Sequence, residues 1–234
     1  MERDPIPDAR DLVRELFPQA RWAVVGGSVV TPARTAGSDL DIVVLLPDDD
    51  PASPARDTRR FRGWPVELFI HDRKTLDHYL DKDLARRQPA LQRMLAVGVP
   101  LLEPDQDLDE VQPRCRALLA DGPGPLPADE MAAQRYGLTD VLDDLVHSTD
   151  PGETAIITAR AWEQTAELAF DVAGHWRGRG KWMVRELRDL DPAFAHRWLL
   201  AQHRPRAVAE LAEQVLRSAG GPLFEGYHAA GTRP

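Results

Sequence analysis

The sequence predicts an α+β fold, with strands confined to the N-terminal half and a C-terminal half that is helical throughout. Three observations carry this. Apolar runs at Trp22–Val25, Ile42–Leu46 and Pro65–Ile70 (the last broken by Glu67) are short and lie among Gly, Pro and Asp, as buried strands do. From Ala128 onward, apolar residues instead recur at helical spacing over long segments. Between the two regimes lies Asp121-Gly122-Pro123-Gly124-Pro125-Leu126-Pro127, a hinge by composition. The domains are expected at 1–108 and 109–234, with the hinge as late as 121–128.

Taken in order, Asp8–Phe17 has Leu12, Val13, Leu16 and Phe17 at helical spacing, with Asp8 as cap and Pro18 as stop. Trp22–Val25 is the first strand, covered on both faces. Val29–Thr35 reads as a helix of one or two turns. Asp39–Leu46 is the second strand, with Leu40, Ile42, Val44 and Leu46 on one face and Asp39, Asp41, Val43 and Leu45 on the other. Pro47–Thr58 reads as a surface loop with an acidic turn at Asp48–Asp50. Arg56, Arg59, Arg60 and Arg62 follow; they can fringe a nucleotide pocket or form a solvated turn between strands, and the turn is the favoured reading. Gly63–Ile70 is the third strand, Arg73–Arg87 and Pro89–Val97 are helices, and Val99–Leu102 is a short edge strand. His71 reads as a surface or capping histidine. Asp107–Ala120 is helical, with a late start suggested by Pro113. Helices are expected at 128–148, 152–176, 181–190, 192–202 and 206–218, forming an antiparallel bundle with Trp162 and Trp176 as packing residues. The tail from Gly221 is expected to fray, with Phe224 as its docking residue.

The chemistry concentrates between residues 26 and 41. Gly26-Gly27-Ser28 follows the first strand, and glycines there let backbone N–H groups approach a phosphate closely. Ser28 adds a hydroxyl. Arg34 can reach phosphate or be solvated, and Ser38 can bond a carboxylate or the turn backbone. Asp39 and Asp41 alternate with Leu40, so both carboxylates share one face of a strand. Paired hard oxygen ligands suit Mg²⁺. Glu67 interrupts an apolar strand, which costs stability unless the carboxylate is paired or binds metal.

This arrangement, Gly27-Ser28 followed by Ser38-Asp39-Leu40-Asp41 in an apolar strand, resembles the DNA polymerase beta-like nucleotidyltransferase superfamily. With Arg34 it is similar to the small-molecule branch, which includes the kanamycin and lincosamide nucleotidyltransferases. The likeness is close over roughly the first hundred residues and loose thereafter; neither motif alone would be specific. It implies a mixed sheet of about five strands with flanking helices, then an all-α domain. It implies Asp39, Asp41 and Glu67 as ligands of two Mg²⁺ ions, and Gly27, Ser28, Arg34 and Ser38 as the nucleotide-binding set. ATP or another nucleoside triphosphate would be the donor, and a small hydroxylated molecule, antibiotics among them, the acceptor. In the resembling enzymes a helical-domain lysine meets the phosphates, a part that falls to Lys181. Lys181 opens a helix, where the dipole does not favour a cation; a bound phosphate and a solvated lysine are the alternatives. Some members use a helical-domain carboxylate as base, which points to Glu163 on a face with Glu167 and Asp171; Glu67 is the other candidate.

Composition limits the partners. The chain has 234 residues and a net charge of −9. Proteins that track nucleic acid carry basic faces, so this balance counts against nucleic acid. Readings with a protein or tRNA acceptor, or as a catalytically dead regulatory protein, compete with the small-molecule enzyme; retention of all three acids counts against the last. One cysteine, Cys115, excludes an internal disulfide, and no apolar stretch approaches a membrane span, so a cytoplasmic protein is expected. A homodimer in which two chains complete one site is among the arrangements the sequence allows.

Overall fold

The computed structural model describes residues 4–231 and divides the chain into two compact units, one ending at Asp121 and one beginning at Gly122. The division lies beyond residue 108 because the helix Gln106–Asp121 buries Leu108, Val111 and Cys115 in the core of the first unit. Pro113 is accommodated inside this helix.

The first unit is built on a five-stranded mixed sheet. Its strands are β1 (Trp22–Gly26), β2 (Leu40–Leu45), β3 (Ala55–Phe61), β4 (Trp64–His71) and β5 (Val99–Pro100), in the order β3-β4-β2-β1-β5. β2 and β4 run parallel, and the other pairings are antiparallel. The expected alternation of β2 is present. Leu40, Ile42, Val44 and Leu46 join Val66, Leu68 and Ile70 in a core against α1 (Pro5–Leu16). Val43 and Leu45 join Trp22 and Val24 in a second core against α2 (Arg73–Ala85), α3 (Ala90–Val97) and α4 (Gln106–Asp121). Cores on both sides explain why β1 and most of β2 are apolar without interruption.

Three local expectations need correction. The cap of α1 is Asp4, which accepts a hydrogen bond from the Ile6 N–H at 3.0 Å, with Pro5 in the first turn. Asp8 is buried inside the helix, where it accepts from the Trp64 indole at 3.0 Å and the Arg62 guanidinium at 3.1 Å. The arginine-rich segment is not a solvated turn. It forms β3 and pairs with β4 through the two-residue turn Arg62–Gly63, whose φ angles of 47° and 90° give the twist that tight hairpins favour. His71 is buried, and the cap of α2 is Asp72, whose carboxylate accepts from the Thr75 N–H at 2.8 Å.

The second unit is helical: α5 (Ala128–His147), α6 (Pro151–Val172), α7 (Lys181–Leu190), α8 (Pro192–Ala201) and α9 (Pro205–Ser218). Asp150 and Asp191 cap α6 and α8, each accepting two backbone N–H bonds ahead of a first-turn proline. Phe170, Leu187, Trp198, Val208 and Ala212 meet in one core. Trp162 and Trp198 stack with centroids 3.6 Å apart, and each indole donates to the other's carbonyl at 2.8 Å. The tail is docked: Arg135 donates to the Gly221 and Gly220 carbonyls, and Tyr136 stacks on Tyr227 and Phe224. Among the described residues, no helix is long and apolar enough to cross a membrane.

Candidate active site

Strand register gathers the acids. Asp41 stands opposite Gly26 on β1 and Glu67 on β4, so the glycine turn and two carboxylates share one rung of the sheet. Asp39 lies two residues before Asp41, with its side chain on the same face. Ligand oxygens of Asp39, Asp41 and Glu67 all lie within 4.8 Å of one another, and each residue is half-buried. Among the described residues, no other group of three His, Cys, Asp or Glu side chains converges this way; the Asp48–Asp50 turn does not.

Gly27 is fixed by this geometry. It adopts φ +70°, and a Cβ placed on it would lie 1.9 Å from Asp41 Oδ2. Any other residue would displace the carboxylate and strain the backbone. Glycine here makes room for Asp41, a reason the sequence alone does not reveal.

Ser28 and Ser38 are both buried, and their hydroxyls meet at 2.9 Å. Ser38 Oγ also accepts the Thr35 N–H at 3.0 Å, and the Thr31 hydroxyl donates to the Ser28 carbonyl at 3.1 Å. The two serines thus clamp both ends of the loop that leads to the acids. The expected helix at 29–35 is a single 3₁₀ turn, Ser28–Val30. Pro32 forces Thr31 into extended backbone at φ −125°, ψ 165°, which stops the helix. Arg34 lies 5.5 Å from the Trp64 ring centroid, and Trp64 packs on the α1-side core. Its charge is thereby held against an aromatic face.

Glu67 forms an ion pair with Arg56 on β3, a partner that a solvated turn would not supply. The Arg56 guanidinium also lies 4.8 Å from the Phe69 ring centroid. Carboxylate oxygens from three residues, half-exposed and already attracting a guanidinium, form a donor set that fits a hard divalent cation.

Lys181 and Glu163 belong to the second unit. Lys181 is exposed at the first position of α7, and Glu163 is exposed on α6. Their neighbours differ from them. Burial, the largest influence, raises the Glu167 carboxyl above its usual range, with Glu163 and Asp171 adding to the effect and Arg177 opposing it. The Asp171 side chain is fully buried and ion-paired with Arg177, which gives that acid a structural partner.

Residues 6–91 match the family model described as the nucleotidyltransferase domain. That stretch runs from α1 into α3 and contains Gly27, Ser28 and all three converging acids. In structure the chain is similar to a nucleotidyltransferase-like protein from Exiguobacterium sibiricum 255-15. The identity is 15%, the match covers 93% of this chain and 77% of that one, and the TM-score is 0.48. No curated protein matches the chain in sequence.

Proposed function

We propose that the chain, whose residues 6–91 match the nucleotidyltransferase domain, is a transferase of nucleoside monophosphates with a specific reaction. It moves the nucleoside monophosphate of ATP, or of another nucleoside triphosphate, to a hydroxyl of a small molecule. The observation that carries this reading is the convergence of Asp39, Asp41 and Glu67 within 4.8 Å, beside a glycine that leaves room for Asp41.

Asp39 and Asp41 would hold Mg²⁺ against the triphosphate, with Glu67 as the third ligand. When bound, Mg²⁺ offsets phosphate charge and lowers the pKa of the hydroxyl it contacts. The acceptor oxygen attacks the α-phosphorus in line. One O–P bond forms, the bond from the α-phosphorus to the bridging oxygen breaks, and pyrophosphate leaves with that oxygen. The hydroxyl proton passes to a carboxylate, for which Glu67 is the site's own candidate. The Gly27 backbone and the loop clamped by Ser28 and Ser38 keep the triphosphate side of the site in shape. Arg56 must give up Glu67 when the third ligand is needed.

The net charge of −9 supports a small cationic acceptor over a nucleic acid, because it attracts cations and repels phosphate backbones. Calorimetry of ATP, GTP, CTP and UTP, each with and without Mg²⁺, tests the reading on wild type and on the Asp39→Ala/Asp41→Ala double variant. Mg²⁺-dependent binding of a nucleotide that the double variant loses is the expected result. Equal binding by the two proteins would sink the metal assignment.

A further inference from the structure

Beside the acids, the first unit holds a cavity of about 430 Å³ between β4, the start of β3, α2 and α3. Small-molecule sites occupy roughly 300–1,000 Å³. Two wall residues connect the cavity to the acidic cluster. Arg56 is the ion-pair partner of Glu67. Met94 lies against β1, where a Cβ on Gly26 would come within 2.7 Å of its carbonyl oxygen, and Gly26 stands opposite Asp41. Glu67, Phe69 and His71 follow one another on the same face of β4, about 7 Å apart at each step. Phe69 and His71 line the cavity. The path from the acids therefore passes first an aromatic wall and then an imidazole.

The imidazole is unusual. His71 is 6% exposed, and among the described residues its Nδ1 has no hydrogen-bond partner. Nδ1 is enclosed by protein, so the ring nitrogen that a ligand in the cavity can meet is Nε2. The ring is held in place by Tyr79, tilted at 52° with centroids 5.3 Å apart. Burial pushes the His71 pKa down to about 4 against the opposing influence of Asp72, so at neutral pH the ring offers one N–H and one lone pair. The acid on the wall, Asp83, is already engaged with the Leu91 N–H at 3.0 Å at the start of α3. Phe69, Leu91 and Met94 supply apolar surface for the flat sides of a ring.

We propose that this cavity seats the nucleobase of the donor nucleotide, with His71 hydrogen-bonding the polar edge of the base and Phe69 against its face. The proposal rests on the nucleotidyl-transfer reading. A nucleobase fits because it has apolar faces and a polar edge, and because a single ribose separates it from the α-phosphate that the acids would hold. His71 acts here as a specificity-determining residue and takes no part in the chemistry.

The test uses the full chain and compares each nucleoside triphosphate with inorganic tripolyphosphate, both with Mg²⁺, by calorimetry. The variants are His71→Phe, which keeps the ring volume and removes the nitrogens, and Ala55→Leu, which narrows the cavity from an exposed strand position. The expected result is at least a tenfold loss of nucleotide affinity in both variants, with tripolyphosphate affinity unchanged. Should His71→Phe fail to fold, Ala55→Leu and the wild-type preference for nucleotide over tripolyphosphate carry the comparison. Nucleotide affinity unchanged in the folded variants would overturn the base site and leave the transfer reading standing. Failure of wild type to bind either probe would overturn both.

Discussion

In the helical unit the Asp171 carboxylate is fully buried, and it is met by Arg177 through both of its oxygens. In the sheet unit three carboxylates crowd within 4.8 Å on a half-exposed face, where Arg56 reaches Glu67. The first arrangement removes charge from water and offsets the loss with an opposite charge, as a structural pair does. The second concentrates like charge, which raises the energy of the ionised acids unless a cation joins them. The contrast sets a charge paired inside the fold against charges that the proposed reading gives to a cation, although aspartates occupy both.

The same chemical change should therefore act unequally in the two places. Asp171→Asn removes the fully buried charge that pairs with Arg177, and should cost about 3–5 kcal/mol in urea unfolding. Asp39→Asn relieves repulsion at a half-exposed position and should change stability by no more than about 0.5 kcal/mol. It should nonetheless lower turnover by about 10³-fold, the scale on which losing one group that stabilises transition-state charge is felt. A stability loss at Asp39 as large as at Asp171 would erase the distinction.

A smaller effect separates two histidines. His175 in the helical unit has Glu186 at 3.0 Å, whereas burial holds the His71 pKa in the sheet unit at about 4, against an ordinary value of 6.5. The unfolded chain takes up a proton below 6.5 that folded His71 refuses. Stability contributed by neutral His71 is therefore present above 6.5 and falls as pH drops from 6.5 towards 4, by about 3 kcal/mol over that window. His71→Gln should remove this part of the pH dependence, read as the difference between urea-unfolding series of the two proteins. Parallel curves would show that the imidazole is not the cause.

The smallest effect is expected at Arg56, 59% exposed in its side chain, where an ion pair contributes about 0–1 kcal/mol. Arg56→Ala should leave stability nearly unchanged and tighten Mn²⁺ binding, because Glu67 loses a competing cation. Weaker Mn²⁺ binding would show that Arg56 assists the cluster.

What the sequence disclosed follows from how many neighbours each segment has. β1, β2 and β4 are flanked by cores, so their composition reads as strand, and the alternation that puts Asp39 and Asp41 on one face is visible in the letters. β3 has one strand neighbour and no buried residue, so the arginine-rich stretch carries no apolar pattern; the signal was the turn at Arg62–Gly63. The convergence of Glu67 with the aspartates could be expected by resemblance, but Arg56 as its partner depends on the hairpin register that places Thr58 opposite Glu67. The sequence reads His71 as a surface residue because its contact with Tyr79 on the following helix has no periodic signature. The serines were legible as site residues, but their mutual bond across the loop was not.

The outer strands of the sheet have one further consequence. β3 presents Arg56, Asp57, Arg59 and Arg60 along one border, and the other border is the two-residue β5, which ends in a proline without an N–H to donate. A strand from a second molecule would have to desolvate guanidinium groups at the first border and would find almost no backbone to pair with at the second. Charged, short or proline-bearing borders of this kind discourage edge-to-edge growth. The borders of the sheet thus work against the strand pairing that templates aggregates.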